Sequence, residues 1–244
     1  MKRLGKYILF LGTLFVRRER FRTYLSLFVD ESIKIGNNSL FIVVIVSVFI
    51  GAVTAVQTAI NLISPLIPNY IISLVVRDST ILELAPTVTA IVLAGKVGSN
   101  IAGELGTMRI TEQIDALEIM GINSASYLVL PKVAAAVFTY PLLVMLAMGL
   151  AIGGGYVASV VGQITTPEEY IYGIQYEFIP FYVTYALVKA VVFAFLIASI
   201  SAFQGYYTSG GALEVGQAST KAVTNSCIAV LLADYVLTNV MLGV

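Results

Sequence analysis

The chain lacks histidine and tryptophan, and it has one cysteine, Cys227. Without histidine it can form neither a histidine-ligated metal site nor a serine–histidine–aspartate triad. A single cysteine cannot close an internal disulfide. The Gly-x-x-x-x-Gly-Lys-Ser/Thr loop that binds nucleotide phosphates is also missing from the sequence. We therefore expect no catalytic, metal or cofactor site, and no ATP hydrolysis by this chain.

Charged residues are scarce as well. They make up 11% of the chain, hydrophobic residues make up 58%, and the mean hydropathy is +0.91. A soluble domain carries about 25% charged residues and could not bury this much apolar surface. Basic and acidic residues balance at 14 each, so no basic field attracts nucleic acid. The composition predicts an all-α integral membrane protein.

Five apolar segments are long enough to be transmembrane helices. They are residues 39–64, 79–103, 133–161, 178–204 and 222–244. At about 1.5 Å rise per residue, each can cross a hydrocarbon core of roughly 30 Å with some tilt. The first and third carry no charge, whereas the second contains Glu83 and Lys96.

The first 36 residues form a separate region before the transmembrane domain predicted over 37–244. Their apolar stretch, 7–16, is too short to span a membrane and is followed directly by the basic run 17–22. Aromatic and leucine side chains then recur at helical spacing among basic residues, at Phe21, Tyr24, Leu25 and Phe28. This pattern predicts an amphipathic helix, either continuous or broken, that lies in the membrane interface. An uncleaved signal anchor is the alternative.

The basic residues are distributed unevenly about the five spans. Eight Lys or Arg precede residue 35, and Lys96, Arg109, Lys132 and Lys221 fall on the same side. The opposite side has only Arg77. Since cytoplasmic loops are enriched in basic residues, the N-terminus is expected in the cytoplasm and the C-terminus outside.

A charged segment between the second and third spans has a helical pattern over about 107–121. Ile110, Ile114 and Leu117 form one stripe, and Thr111, Asp115 and Glu118 form another, with Gly121 as a stop. Such a helix can lie among lipid headgroups, although that environment favours basic residues. An acidic face fits a basic protein groove better. Both interpretations stay open on pattern alone.

Three ionisable residues lie inside the predicted spans: Glu83, Lys189 and Asp234. Each costs about 2.5–3.5 kcal/mol in hydrocarbon on insertion scales, so each needs a partner or a polar cavity. They can form a buried pair that fixes helix register, or line a lipid cavity where Lys189 attracts a phosphate headgroup. Polar residues near the outer end of the first span, Thr54, Gln57 and Asn61, can line such a cavity too.

Small residues repeat every four positions in two places. One stripe is Gly98, Ala102 and Gly106, and the other is Gly149 and Gly153. Such stripes favour close helix packing, within the chain or at a dimer seam. In the loop after the third span, Thr166 and Pro167 predict the start of a short interfacial helix.

The stretch LAGKVGSNIAGELGTMRITEQIDALEIMGINSASYLVLPK (93–132) resembles the signature of the MlaE (YrbE) permease family. The similarity extends to FIGAVTAVQ (49–57), GGALEVGQASTKAV (210–223) and ADYVLTNVMLG (233–243). Members of this family are membrane subunits of ABC transporters that move phospholipids between envelope membranes. The resemblance implies a homodimer in a bacterial inner membrane, a separate ATPase subunit and an MCE-domain protein in the periplasm.

The resemblance also implies that 107–121 is a cytoplasmic coupling helix that seats in a groove of the ATPase. Its residues Arg109, Glu112, Asp115, Leu117 and Glu118 would make that contact. One motif departs from the family. Where the family has Arg-Glu-Leu-Gly-Pro, this chain has Leu82, Glu83, Leu84, Ala85 and Pro86. The family arginine is absent, and Arg77 is the nearest possible substitute.

Two other functions compete with an ABC permease. A secondary transporter would use Glu83, Lys189 and Asp234 as a proton relay, but five spans do not divide into inverted halves. An intramembrane enzyme is weaker still, because no paired acid and nucleophile is recognisable.

The charge asymmetry generates a topology test. In a Cys227→Ser background, a cysteine placed at Thr166 should react with an impermeant maleimide applied from outside. A cysteine at Gln113 should react only after permeabilisation, and the cysteine-free background should not react. The reverse pattern would overturn the orientation of all five spans.

Overall fold

The computed structural model describes residues 2–14, 21–62 and 68–243, and the secondary structure of these residues is helical. The chain divides into two compact units. The first comprises Met1–Ser39, Ala90–Tyr140 and Val191–Val244, and the second comprises Leu40–Thr89 and Pro141–Ala190.

The helices follow one another along the chain with short connections. They are α1 (Lys2–Thr13), α2 (Phe21–Asn61), α3 (Tyr70–Ser79), the π-helical segment π1 (Thr80–Val88), α4 (Thr89–Leu93), the π-helical segment π2 (Ala94–Gly98), α5 (Ser99–Ile110), α6 (Gln113–Ile119), α7 (Ser124–Val161), α8 (Pro167–Gln175), α9 (Phe181–Tyr206) and α10 (Ala212–Leu242).

Five helical stretches among the described residues are long and apolar enough to cross a membrane, which confirms the predicted number. They are Arg22–Asn61, Tyr70–Ile110, Ser124–Val161, Phe181–Tyr206 and Ala212–Leu242. Four extend well beyond the predicted bounds. With 41 residues, α2 is about 60 Å long, twice a hydrocarbon core of roughly 30 Å. Hydropathy locates only the apolar part of a helix, whereas its hydrogen-bond ladder continues into the polar ends.

The N-terminal region contains two helical parts rather than one. Helix α1 ends at Thr13, and α2 begins at Phe21 and runs without a break into the first span. The basic run 17–22 lies mostly outside the described residues, as do the last residues of the predicted first span. On α1, Phe10 and Leu14 are buried while Ile8 and Leu9 are exposed. Its placement in the membrane interface stays a prediction.

Span two is continuous but not uniformly α-helical. Its two π-helical segments, π1 and π2, contain the two ionisable residues of the predicted span 79–103, Glu83 and Lys96 respectively. Pro86 lies inside π1 and lacks the N–H that an α-helical ladder needs at that position. Wider turns of this kind accommodate the missing donor, and they occur often at functional sites.

The first small-residue stripe packs within the first unit, as predicted. A Cβ added at Gly98 would lie 2.9 Å from the Ser201 hydroxyl, and one at Gly106 would lie 3.1 Å from Val215. From the other side, a Cβ at Gly205 would meet the Ala102 carbonyl at 2.5 Å. Small residues therefore let α5 approach α9 and α10 closely.

The first unit also contains an ion-pair network that the sequence analysis did not anticipate. The Glu104 carboxylate lies 2.7 Å from the Lys34 ammonium and 3.0 Å from that of Lys132. Lys132, which is buried, also contacts Glu31 at 2.5 Å. These four charges join α2, α5 and α7. Sequence spacing could not reveal these pairs, because the partners lie up to 101 positions apart.

In the second unit, α8 packs on α3, and Arg77 fixes that contact. Its Nη1 donates to the carbonyls of Ile174 and Tyr176, each at 2.7 Å, and its Nε donates to Asp78 at 2.8 Å. With 2% of its surface exposed, this guanidinium holds the chain around α8. It is therefore not placed to substitute for the family arginine at a headgroup.

The start of α8 confirms the predicted cap. The Thr166 hydroxyl accepts from the Glu169 N–H, and the Glu169 carboxylate accepts from the Thr166 N–H, with Pro167 as the first helical residue. This capping box satisfies two backbone donors that the helix leaves open. Tyr170 on α8 donates to the Ile152 carbonyl at 3.1 Å, and burial raises the pKa of its hydroxyl.

The second small-residue stripe is not used for packing within the unit. A Cβ at Gly149 or Gly153 would have no neighbour within 4 Å. The adjacent Gly154 makes the close contact instead, because a Cβ there would lie 2.2 Å from the Val48 carbonyl. The α2–α7 contact therefore depends on a glycine one position away from the predicted stripe.

This difference between neighbouring glycines is testable. Gly154→Ala should separate α2 from α7 and lower the thermal unfolding midpoint in detergent, since a backbone carbonyl cannot move aside cheaply. Gly153→Ala is the matched control; in the monomer it should cost nothing, because a Cβ there meets no neighbour within the chain and alanine favours a helix over glycine by about 1 kcal/mol. Equal loss of stability in both variants would contradict the contact assignment.

Candidate functional site

A buried ion pair occupies the second unit between π1 and α9. The Lys189 ammonium donates to Glu83 Oε1 at 2.7 Å and to the Leu82 carbonyl at 3.3 Å. The Tyr185 hydroxyl donates to the same carboxylate oxygen at 3.4 Å, and its ring centroid lies 4.6 Å from the ammonium. Two of the three predicted intramembrane charges are thus brought together.

The two members of the pair differ sharply in exposure. Lys189 is 0% exposed, whereas 42% of the Glu83 side chain is exposed. The cation therefore lies inside and the carboxylate faces outward. The direct contact between Lys189 and a lipid phosphate that the sequence suggested is not accessible in this conformation. The pair instead has the geometry of a register pin between the second and fourth spans.

Lys189 also reaches a backbone carbonyl of π1. An α-helical bond to the Leu82 carbonyl would need the N–H of residue 86, which is proline and has none; in a π-helix this carbonyl accepts from residue 87 instead. The Lys189 ammonium donates to this carbonyl. A buried cation gains from every such acceptor, because its water shell has been removed. The motif Leu-Glu-Leu-Ala-Pro thus supplies two acceptors to one lysine.

The polar residues predicted to line a cavity lie along the end of α2. The Thr54 hydroxyl donates to the Ile50 carbonyl of its own helix at 2.8 Å. Gln57 and Asn61 are exposed, and Asn61 ends the helix. Thr54 is therefore satisfied locally. Cavity lining by the other two stays a prediction.

Asp234 belongs to α10 in the first unit and is half-buried. Only 11% of the most apolar window of this helix is buried within the chain, against 50% or more for spans two to four. A carboxylate is costly on a lipid-exposed helix. Water or protein, rather than lipid, next to Asp234 on this face of α10 would avoid that cost.

The acidic loop helix is shorter than predicted. Residues 107–110 complete α5, the chain turns at Thr111 and Glu112, and a separate helix, α6, runs from Gln113 to Ile119. Glu112 has a positive φ of 61°, which breaks the helix at that residue. The prediction of one helix over 107–121 was wrong because apolar spacing does not reveal a break in backbone direction.

The predicted docking residues divide into inner and outer sets. Ile114 is fully buried, so the apolar stripe faces the chain itself. Arg109 pairs with Asp115 at 2.7 Å across the turn. Leu117 is half-buried.

Glu118 is exposed and is also bound within the chain. Its carboxylate accepts from the Ser124 hydroxyl at 2.9 Å and from the Tyr206 hydroxyl at 3.0 Å, and those two hydroxyls lie 2.7 Å apart. One carboxylate thus ties α6 to the start of α7 and to the end of α9. This internal role was not anticipated, and contact of Glu118 with a partner stays a prediction.

The outward surface of α6 is more apolar than the sequence suggested. Ile119 is 87% exposed, and Met120 beside it is also exposed. Sequence analysis missed both residues because they fall outside the Ile110, Ile114 and Leu117 stripe. Their exposure could have been predicted from the sequence, because two large apolar side chains lie off the stripe and directly before the glycine stop.

Comparison with known proteins gives a consistent result. The family described as Permease MlaE matches residues 28–240. A probable ABC transporter permease protein of Rickettsia bellii is 37% identical over 99% of this chain and 93% of its own length. The intermembrane phospholipid transport system permease protein MlaE of Haemophilus influenzae is 29% identical over 98% of this chain and 92% of its own. Protein TRIGALACTOSYLDIACYLGLYCEROL 1, chloroplastic, of Arabidopsis thaliana is 32% identical over 84% of this chain and 58% of its own.

The asymmetric burial of the ion pair predicts asymmetric mutants. Glu83→Gln removes the neutralising carboxylate from a fully buried ammonium, for which a loss of about 3–5 kcal/mol is typical. Lys189→Met leaves a carboxylate that is 42% exposed; its loss should be smaller because Glu83 is expected beside a polar lipid path, since a carboxylate facing hydrocarbon would be costly. The double variant should recover most of the stability. Thermal unfolding in detergent measures all three, and a larger loss in Lys189→Met than in Glu83→Gln would refute the assignment.

Proposed function

The chain belongs to the MlaE permease family, and from this membership we propose that it moves phospholipids between the inner and outer membranes of a bacterial envelope. It is the transmembrane permease subunit of an ABC transporter, in which a separate subunit hydrolyses ATP. The observation that carries the phospholipid assignment is the similarity to an intermembrane phospholipid transport permease over 98% of the chain. This similarity argues against the alternative of a secondary transporter with a proton relay.

The ATPase contact of this proposal is the outer surface of α6. Ile119 and Met120 offer an exposed apolar patch there, and Asp115 contributes a carboxylate that is 47% exposed. Apolar anchors surrounded by charge are typical of the energetic centre of an interface. A basic ATPase groove with an apolar floor would complement this surface.

Movement at α6 would reach the membrane helices through Glu118. Its bonds to Ser124 and Tyr206 join α6 to α7 and α9 with no flexible linker between them. Ser124 and Tyr206 are themselves buried. This arrangement supports α6 as a coupling helix, because a rigid connection transmits displacement where a mobile loop would absorb it.

The functional particle of this proposal is a homodimer. Helix α10 exposes most of its apolar window, and an apolar groove of about 740 Å³ runs along α7 in the second unit. Gly149 and Gly153 lie in this groove with no neighbour. Glycines of that kind permit close approach of a second helix. We assign these surfaces to the second copy and to lipid chains.

The remaining partners follow the predicted topology. With the N-terminus in the cytoplasm and the C-terminus in the periplasm, α6 lies inside and α8 lies outside. The periplasmic surface of α8 exposes Ile171 and Tyr172, which suits contact with an MCE-domain protein. The Glu83–Lys189 pair would then hold spans two and four in register beside the lipid path.

Coupling through α6 is tested by Asp115→Lys combined with Ile119→Ser. Loss of interface anchors typically costs about 2 kcal/mol or more, so co-purification of the ATPase subunit should fall by roughly 30-fold. Phospholipid-stimulated ATP hydrolysis should fall with it, while the unfolding midpoint of the permease stays near wild type.

Glu168→Lys is the matched control for the charge reversal. Like Asp115, Glu168 is an acid in the first turn of a short loop helix, but it lies on α8. It should leave ATPase binding unchanged. Retention of the ATPase by the α6 variant, or equal loss in the α8 variant, would remove α6 as the docking helix.

A further inference from the structure

A polar cavity lies in the first unit between α1, the end of α9 and the start of α10. Its volume is about 380 Å³, within the lower range of small-ligand pockets. Eight of its ten lining residues carry polar groups on their side chains, among them Lys6, Gln204, Gln217 and Lys221. Neither the family assignment nor the coupling helix accounts for it.

Two cations in this cavity have no acidic partner among the described residues. The Lys6 ammonium lies 3.8 Å from the centroid of the Tyr207 ring, so a cation–π contact holds it in place. Lys221, on α10, forms no hydrogen bond or ion pair with any residue that the structure describes. Two ammonium groups that converge on one cavity attract an anion.

The one acid in the cavity is already engaged. The Glu214 carboxylate accepts from the Gly211 N–H at 2.7 Å and so caps its own helix, α10. Two lysines against one glutamate leave a surplus positive charge in the cavity. The amides of Gln204 and Gln217 and the hydroxyl of Ser209 add neutral groups able to donate hydrogen bonds.

Two exposed leucines lie close in the sequence to lining residues of the cavity. Leu9 lies three residues after Lys6, hence on the same face of α1, and is 73% exposed; Leu213, next to Glu214, is 72% exposed. Helix α1 is anchored to α9 by Phe10, whose ring centroid lies 5.4–5.7 Å from those of Phe203, Tyr206 and Tyr207. A cationic cavity with exposed leucines near its lining residues matches a molecule with an anionic head and an apolar tail.

We propose that this cavity binds a phosphate ester, with Lys6 and Lys221 as its cationic ligands. The exposed Leu9 and Leu213 favour an anionic phospholipid as the source, and a soluble phosphate ester shares the same chemistry. This site belongs to the first unit, whereas the Glu83–Lys189 pair belongs to the second. It is therefore an additional site, and its occupancy does not require transport.

The test measures binding to the purified, delipidated full-length permease in detergent, without ATP. Short-chain phosphatidylglycerol is titrated and the bound lipid is counted by native mass spectrometry, with short-chain phosphatidylcholine as the zwitterionic comparison. Each lysine near an anionic lipid contributes about 1 kcal/mol, so Lys6→Gln with Lys221→Gln should weaken phosphatidylglycerol binding by roughly 30-fold. Lys6→Arg with Lys221→Arg should keep binding.

Glycerol 3-phosphate added as a competitor distinguishes the two sources. Competition at concentrations comparable to the lipid assigns the site to a soluble ester, whereas no competition at a hundredfold excess assigns it to the lipid. Arg22→Gln with Lys96→Gln is the matched control, since it removes the same charge from outside the cavity. Equal binding by wild type and the Lys6/Lys221 glutamine variant, or equal loss in the control, would overturn the site. Because ATP and transport are absent, that failure would leave the phospholipid-transport proposal untouched.

Discussion

Neutralising the Lys189 ammonium within the protein is the requirement around which the second unit is arranged. A cation with no exposed surface needs a carboxylate and further acceptors at close range. Glu83 supplies the first from π1, and Leu82 supplies a carbonyl that proline has left without its α-helical donor. The sequence between Thr80 and Val88 therefore adopts wide turns that present both groups to α9. Spans two and four are held in register as a result.

Hydropathy and charge were sufficient for the broad architecture. The five spans, the short helix capped by Thr166 and the packing of the Gly98, Ala102 and Gly106 stripe all follow from local patterns, and each is found in the structure. A buried pair among Glu83, Lys189 and Asp234 was one of two interpretations, because isolated charges in hydrocarbon need partners, and the structure pairs the first two. Local sequence pattern cannot show which member of an ion pair is buried. Burial depends on neighbouring helices that are far away in the chain.

The misassignments have the same physical origin. Glu118 was predicted only as a docking residue, yet its carboxylate also accepts from hydroxyls of α7 and α9. Arg77 looked like a stand-in for a lost arginine, yet carbonyls 97 and 99 positions later bind it. The network of Glu31, Lys34, Glu104 and Lys132 escaped notice altogether. In each case a polar group is satisfied by a partner that only the tertiary structure brings near.

The π-helical segments change which side chains of span two lie on the same face of the helix. Each residue that a wide turn adds rotates the following side chains by about 100° about the helix axis relative to a regular α-helix. Two such segments separate Tyr70 from Ile110, so the span has three angular phases. A single helical wheel would assign lipid-facing and protein-facing positions wrongly beyond Ser79, and again beyond Gly98. The periodicity of solvent accessibility along this span should be fitted in separate pieces, with phase breaks at π1 and π2, which contain Glu83 and Lys96.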